Sequence, residues 1–426
     1  MAEIFPFRGW RYNTDLVDPG MVTAPPYDVI SPAGQEFYYR RHPENVIRLI
    51  LGREEPGDDG ARNKYTRARG FLDDWRGRGV LVREKEPAFY LYRQDFMLLG
   101  GAAAHRAGLV ADLTLSSYGE GIVRPHERTL AKPKEDQLRL MRATGFQLSQ
   151  IFLLYEDPAG ELRPILNPRP EKPAADLVDP EGVRHRLWPL ADPRLREDIA
   201  AFFAPRPVYI ADGHHRYETA LAYRDERRAA GLPPDGSDRV AVVLVEMDQP
   251  GMVVQPTHRA VHSLPEWDEG AFRAALSQFF HLERFAGDIE ALAEKVAGRP
   301  HAFGFLFPGG AHLAVLADEA AALAAMPAER APAWRRLDVS ILHSLVFGRL
   351  LGLTEEAQTR QENLVYTREA SEAGKLVAEG QAQFAVLLGP TPVRAVKDVA
   401  DAGETMPQKS TYFWPKLLSG LVMKEM

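Results

Sequence analysis

The chain has 426 residues, a formal charge of -7 at pH 7, 45% hydrophobic and 26% charged residues, and no cysteine. That length exceeds what one core usually organises, and the balance is that of a globular protein, neither fibrous nor disordered. Net acidity argues against a broad nucleic-acid surface, and the missing thiols exclude disulfides, cysteine nucleophiles, iron–sulfur clusters and cysteine-held zinc.

No apolar run is long enough to span a bilayer, and residues Met1 to Arg8 lack a basic segment followed by an apolar one. A cytoplasmic protein without membrane contact is therefore expected.

Residues up to about Lys85 read as turns and short helices. Pro25-Pro26 keep Ala24 to Ser31 extended, and Ser31-Pro32 suits a helix start, which puts Asp28 just ahead of a helix. Two strands, Ala88 to Tyr92 and Phe96 to Leu99, are expected as a hairpin around Arg93-Gln94-Asp95, with Ala107 to Leu113 as a further strand. Gly119 to Leu130 is too polar for a core strand. Arg124, His126 and Arg128 alternate there, so an extended backbone turns them to one side and Glu127 to the other. Lys132, Lys134, Asp136 and Arg139 lead into a helix. Gln150 to Tyr155 reads as a buried strand, and the prolines from Pro158 through Pro168 and Pro170 to Pro180 bar a long regular element after it.

Leu187 to Phe203 reads as a docking segment followed by a helix. The apolar run Pro207 to Ile210 then ends at Asp212-Gly213, and a helical pattern begins at once with Tyr217, Ala220, Leu221 and Tyr223: strand, tight turn, helix start. Amides at such a start, joined by His214, His215 and Arg216, suit a phosphate or carboxylate. Helix capping by the imidazoles and a salt bridge from Arg216 are the plainer alternatives. Val240 to Val245 is the strongest strand, apolar enough for burial on both faces, with Met252 to Val254 as its expected hairpin partner.

Thr257, His258 and Arg259 would add a hydroxyl, an imidazole and a guanidinium to a cavity, or simply end a strand in solvent. Residues 266 to 325 read as helix, strand, strand, helix, and Leu337 to His343 opens an amphipathic helix. Phe384 to Leu388 is a further buried strand. Lys409, Ser410 and Thr411 bring a cation and two hydroxyls to a turn beside Tyr412, Phe413 and Trp414. The pattern predicts an α+β (mixed α/β) fold with a central mixed sheet. Its expected parts are a main domain over 1–265, a small α/β subdomain or insertion over 266–330, and a helical and strand segment over 331–426 returning to the main domain.

Pro25 to Ile30, Arg124 to Thr129, Ala211 to Tyr217 and Met406 to Phe413 occur in the order that marks the domain-of-unknown-function family 1015, and the chain strongly resembles that family over nearly its whole length. More distantly, Asp212-Gly213-His214-His215-Arg216 looks like the phosphate-binding turn of the ParB and sulfiredoxin superfamily, which includes nucleotide-hydrolysing partition proteins and free-serine kinases. This likeness implies that His215 and Arg216 contact a nucleotide phosphate and that Asp212 or Glu218 supports the turn or a metal. The lack of cysteine argues against a sulfiredoxin-like redox role.

Together these residues read as a nucleotide-dependent phosphotransferase that uses ATP or ADP with Mg and acts on a small polar metabolite. Arg124, Arg128, Arg216 and Lys409 would neutralise phosphoryl charge. Gly213, His214, Ser410 and Thr411 would complete the nucleotide contacts. Asp28, Glu127 or Asp212 would orient the accepting hydroxyl or hold magnesium, and His126 or His215 would move a proton. The rivals are a phosphatase or other phosphate-site hydrolase and a nucleotide-sensing regulatory module. The expected partner is a small phosphate-containing ligand; a homo-oligomer is left open. No P-loop, protein-kinase signature or helical zinc motif occurs.

Overall fold

In the computed structural model, residues 2–98, 100–129, 131–167 and 171–426 are described, without the side chains of residues 131–133. Leu99, Leu130, Pro168, Pro170 and the side chain of Lys132 lie outside the described residues. The chain divides into two compact units. Met1–Pro125, Thr129–Met252 and Pro415–Met426 form the first, and His126–Arg128 and Val253–Trp414 the second. The expected boundaries at 265 and 330 do not coincide with this division, because strands on both sides of each belong to one sheet of the second unit.

The first unit is built, among the described residues, on a sheet of nine strands: β1 (Ile4–Phe5), β2 (Phe89–Met97), β3 (Ala103–Thr114), β4 (Val123–Arg124), β5 (Ile151–Tyr155), β6 (Ala175–Val178), β7 (Arg184–Leu190), β8 (Val208–Asp212) and β9 (Arg239–Glu246). Across the sheet they run β4-β8-β5-β9-β3-β2-β7-β6, with β1 beside β3. The sheet is mixed: β8 is parallel to β4 and β9 to β5, while the other neighbours are antiparallel. Apolar residues fill every position of β5 and almost every one of β9, and both strands are buried on both faces, as continuous runs of this kind require.

Five helices of eight or more residues accompany this sheet among the described residues: α1 (Pro32–Arg41), α2 (Lys64–Gly77), α3 (Ala131–Thr144), α4 (Pro193–Phe203) and α5 (His214–Ala229). Ser31 caps α1 and Asp192 caps α4, each followed by a proline whose missing amide costs nothing in the first turn. Asn63 and Thr66 form a reciprocal capping box on α2. α3 packs against both α2 and α5.

Two expectations about strands fail. The polar triplet Arg93-Gln94-Asp95 does not interrupt a hairpin but lies inside β2, which pairs with residues 103–110 of β3 on one edge and with β7 on the other. Gln94 is buried there because Arg106 donates to its carboxamide oxygen at 2.5 Å, so a polar residue fills an inward position. Val253–Gln255 does not pair with the strand at 240–245; its partner is Tyr412–Trp414.

The second unit carries a six-stranded antiparallel sheet: β10 (His258–Val261), β11 (Phe280–Phe285), β12 (Ala302–Phe307), β13 (Gly310–Leu316), β14 (Leu364–Thr367) and β15 (Phe384–Leu388), in the order β11-β13-β12-β15-β10-β14. α6 (Ile289–Ala297) and α7 (Ala370–Ala378) pack their Leu292, Val296, Ala373 and Val377 against sheet residues Ala260, Leu306 and Leu387. α8 (Val393–Asp401) follows β15 after a Gly-Pro-Thr-Pro turn.

The first unit is closed by an ion pair from the end of the chain. Lys424 Nζ donates to Asp112 Oδ1 at 2.6 Å and to the carbonyls of Gly236 and Arg239 at 2.9 Å, with both charged side chains 5% exposed. Replacing Lys424 by Met strands Asp112 as an unpaired buried carboxylate. Urea unfolding is expected to show a loss of about 3–5 kcal/mol, largely recovered when Asp112 is also replaced by Leu.

Candidate functional site

The motif residues distribute over both units. Asp28, Arg124, Asp212, Gly213, His214, His215, Arg216 and Glu218 belong to the first, and His126, Glu127, Arg128, Lys409, Ser410 and Thr411 to the second.

In the first unit, β8 carries the chain between β4 and β5 to Asp212. Its register against β5 slips between Ile210 and Asp212, an irregularity of the kind that re-aims a side chain at the end of a strand. Gly213 follows with φ 97°, a left-handed conformation that an L side chain adopts only at a cost. A Cβ at this position would also meet the Arg216 guanidinium at 3.0–3.1 Å. Glycine is thus required twice, by the turn and by the arginine folded back over it. α5 begins at the next residue, its first turn holding no acidic side chain.

Asp212 is the hub of the charges here. Arg216 donates to its Oδ2 at 2.5 Å and Lys416 to its Oδ1 at 2.8 Å; the three side chains are 9–19% exposed. Arg216 also donates to the Gln150 carbonyl, which fixes it against β5. Burial by itself would raise the Asp212 carboxyl. Lys416 first, then Arg216, with His214 adding its charge, override burial and hold it well below the usual carboxylate range. Arg106, buried and bonded to Gln94 and the Pro415 carbonyl, is lowered by burial to about 10, with Tyr92 and then Asp212 opposing the fall. One carboxylate is therefore set against two paired cations, with a third in electrostatic reach.

Tyr27, from the first motif, reaches the same charges. Burial first and Asp28 second push its phenol well above the ordinary range, Arg216 opposes, and Asp136 and Asp212 add to the rise. The segment carrying Asp28 is thereby placed near the turn after β8, with the Asp28 side chain exposed. Arg124 stands opposite Tyr209 on the neighbouring strand, donates to the Gly121 carbonyl at 3.0 Å and lies over the Tyr209 ring at 5.7 Å. His214 is buried and His215 half-buried at the start of α5. Beside Arg216 and Thr219 is a cavity of about 30 Å³, room for one water and not for a nucleotide.

The carboxylates expected to hold metal are otherwise engaged. Both oxygens of Asp212 face cations, and Glu218 Oε2 accepts from Thr129 at 2.6 Å and Lys134 at 2.7 Å. Among the described residues no group of three or more His, Asp or Glu is arranged to hold a metal ion. Asp212 and Glu218 act here as counter-ions.

In the second unit, His126 is buried, its Nε2 2.9 Å from Thr411 Oγ1 and its carbonyl accepting from the Met406 amide at 2.8 Å. These bonds bring the second and fourth motifs together. The alternation expected across Arg124, His126 and Arg128 is not realised, since the strand ends at Arg124. Glu127 is half-buried and Arg128 exposed. Lys409 adopts φ 55°, its carbonyl accepting from Arg259 at 3.1 Å; Ser410 donates to the Pro407 carbonyl at 2.5 Å. Lys416, absent from the sequence-derived site, is the residue that matters most among those missed. The only signal for it was its place just after the aromatic triplet of the fourth motif.

The sequence profile of the family described as Protein of unknown function (DUF1015) matches residues 4–340. No curated protein matches the chain. Solved structures similar to it include a conserved hypothetical protein from Pyrococcus furiosus, at 14% identity, covering 69% of this chain and 87% of that one with a TM-score of 0.32. A free serine kinase in complex with AMP has 14% identity, coverage of 69% and 84%, and a TM-score of 0.34. A C-terminally truncated SbnI from Staphylococcus aureus has 10% identity, coverage of 70% and 82%, and a TM-score of 0.34. Similarity at these scores carries no argument about reaction.

The depressed Asp212 carboxyl predicts a pH signature. Its folded value lies below that of the unfolded chain, about 3.9, so the stability it adds is fully present above about pH 5 and is lost as pH falls below 4. Asp212→Asn should cost about 2–4 kcal/mol at pH 7 in denaturant unfolding, and the gap to the parent should close toward pH 2. A gap that stays constant over that range would contradict the assignment.

Proposed function

The chain belongs to the DUF1015 family, and from the chemistry around Asp212 we propose that the turn leading into α5 holds a phosphate of ATP or ADP, which the protein transfers to a small polar metabolite. The observation that carries this reading is the convergence of cations: Arg216 and Lys416 meet on one carboxylate, beside a helix start reached through an uncapped glycine. A helix start and two preorganised cations favour a multiply charged anion over a neutral ligand. The likeness of Asp212 to Arg216 to a ParB and sulfiredoxin-type phosphate-binding turn supports the nucleotide in particular.

Arg216, Lys416 and the first amides of α5 would take phosphate oxygens, and Arg124, on the adjacent strand, would add charge for the phosphoryl group in flight. His215, half-buried in the first turn of α5, would donate to a phosphate oxygen. Asp28 is the exposed carboxylate in electrostatic contact with Tyr27, and it is assigned the acceptor hydroxyl. Magnesium, bound with nucleotide, would be held by phosphate oxygens and at most by Asp28, because Asp212 and Glu218 are spent on cations. That same engagement favours one second reading, a nucleotide-sensing module, in which the ion-paired Asp212 fixes the turn and no base acts.

Thermal unfolding with and without nucleotide tests the site. ADP at a hundredfold excess over its Kd should stabilise the parent by about 2.7 kcal/mol, and Arg216→Ala should lose that shift. Asp28→Asn should retain the shift while ADP release from ATP with a polar acceptor falls by about 10²-fold or more. No shift with either nucleotide ends the proposal; a shift without acceptor-dependent turnover selects the sensing module.

A further inference from the structure

A second concentration of cationic side chains lies around a cavity lined entirely by residues of the second unit. A cavity of about 550 Å³, the size of a metabolite site, lies at the carboxyl end of β15 and the start of α8, and Arg259 of β10 forms part of its wall. Arg259 is 1% exposed. Its Nη atoms donate only to carbonyls, those of Thr257, Gln408 and Lys409, and its buried Nε has no hydrogen-bond partner. No carboxylate of the described residues lies within ion-pair distance of it. A guanidinium buried against neutral groups is costly, and a ligand that brings negative charge removes the cost.

The surroundings agree in sign. Arg299 and Arg336 are exposed residues of the same wall, Arg336 sharing its charge with Glu319 through an exposed contact at 3.2 Å. Of the two carboxylates in the wall, Asp338 is taken by His301 at 2.7 Å, which leaves Asp398. α8, nine residues long, presents its first turn to the cavity through Ala395, with no acidic residue in that turn and no side-chain cap. Two more buried polar atoms without partners, Tyr366 Oη and His343 Nε2, belong to side chains that feel the charge of Arg259. Buried polar groups are nearly always bonded; of these three atoms the Nε of Arg259 is the one whose residue lines the cavity.

We infer that this cavity binds a small phosphomonoester, its phosphate seated between Arg259 and the start of α8 and its organic part against the apolar wall, with Arg299 and Arg336 at the rim. A phosphate suits three guanidiniums and a helix start better than a single carboxylate does, because it carries nearly two charges and three acceptor oxygens. Ser410, from the fourth motif, lies in the same wall and gives that motif a second use.

Calorimetric titration of the full chain with inorganic phosphate, and separately with malonate, both in saturating ADP so that the Asp212 turn is already filled, tests the site. Phosphate should bind saturably and more tightly than malonate. Arg259→Met should weaken it about tenfold or more. Should that variant fail to fold, Ala395→Glu decides: a glutamate in the third position of α8 suits the helix start and places a carboxylate where the phosphate would sit. It should abolish the phosphate heat while leaving the ADP-induced thermal shift in place. Absence of phosphate binding in the parent, or phosphate binding unchanged in Ala395→Glu, overturns the inference, and malonate binding as tightly as phosphate overturns the choice of a phosphomonoester.

Discussion

Asp212 stands where β8, α5 and the returning end of the chain come together, and its two oxygens are what keep Arg216 and Lys416 side by side. Left alone, two cations within reach of one another would repel by an amount that grows as water is excluded. The carboxylate between them removes that repulsion and holds both cations in place. A structural bridge would need only one cation per carboxylate, and ion pairs of this kind add little net stability in themselves. What they add is position: Arg216 is folded over Gly213, pinned to the Gln150 carbonyl and to Asp212, and its rotamer is settled before any ligand arrives. Preorganised donors of this sort do not have to be ordered at the moment of binding.

The two deeply buried arginines show how differently the same residue can be used. Arg106 donates to the Gln94 carboxamide and to the Pro415 carbonyl, and it also feels Asp212. Its burial serves packing, tying β2 and β3 to the C-terminal segment. Arg259 has carbonyls for its Nη atoms, an unbonded Nε and a roomy cavity beside it. Burial lowers it to about 10, and Tyr366 is the one group that opposes the fall, so it remains a cation at neutral pH with no carboxylate set against it. In the first case the protein supplies the counterweight; in the second it supplies only dipoles.

Continuous apolar runs such as Val240 to Val245 and Phe384 to Leu388 were readable because burial on both faces leaves no other composition. The strand, glycine turn and helix at Asp212 were also readable, since punctuation by Asp-Gly between two periodic segments is a local signal. Arg93-Gln94-Asp95 misled because Gln94 is made acceptable inside by Arg106, a partner from the neighbouring strand that no local pattern reveals. The pairing of Val253–Gln255 with Tyr412–Trp414 was hidden for the same reason. Lys416 escaped notice because it pairs with Asp212 across 204 residues of sequence, and a lysine near an aromatic cluster looks the same whether it faces solvent or a carboxylate. The engagement of Glu218 by Lys134 is likewise invisible to local pattern, since 84 residues separate the two.

The chain leaves the first unit after Met252 and rejoins it at Pro415, and those last twelve residues complete structure that was otherwise laid down long before. The Pro415 and Lys416 carbonyls accept from Arg106 and Gln94, Lys416 and Lys424 neutralise Asp212 and Asp112, and Ser419 and Met423 bridge to Ala24 and Trp10. Before that segment docks, Asp112 lacks Lys424, Asp212 has Arg216 but not Lys416, and Arg106 has Gln94 but not the Pro415 carbonyl, in places where burial makes an incompletely paired charge expensive. The first unit therefore cannot reach its final state until the whole intervening segment has been made and brought back, a contact of high sequence separation whose entropic cost falls late in folding. Since Lys416 belongs to that returning segment, the Asp212 cluster is assembled at the same step, which ties completion of the fold to the formation of the site.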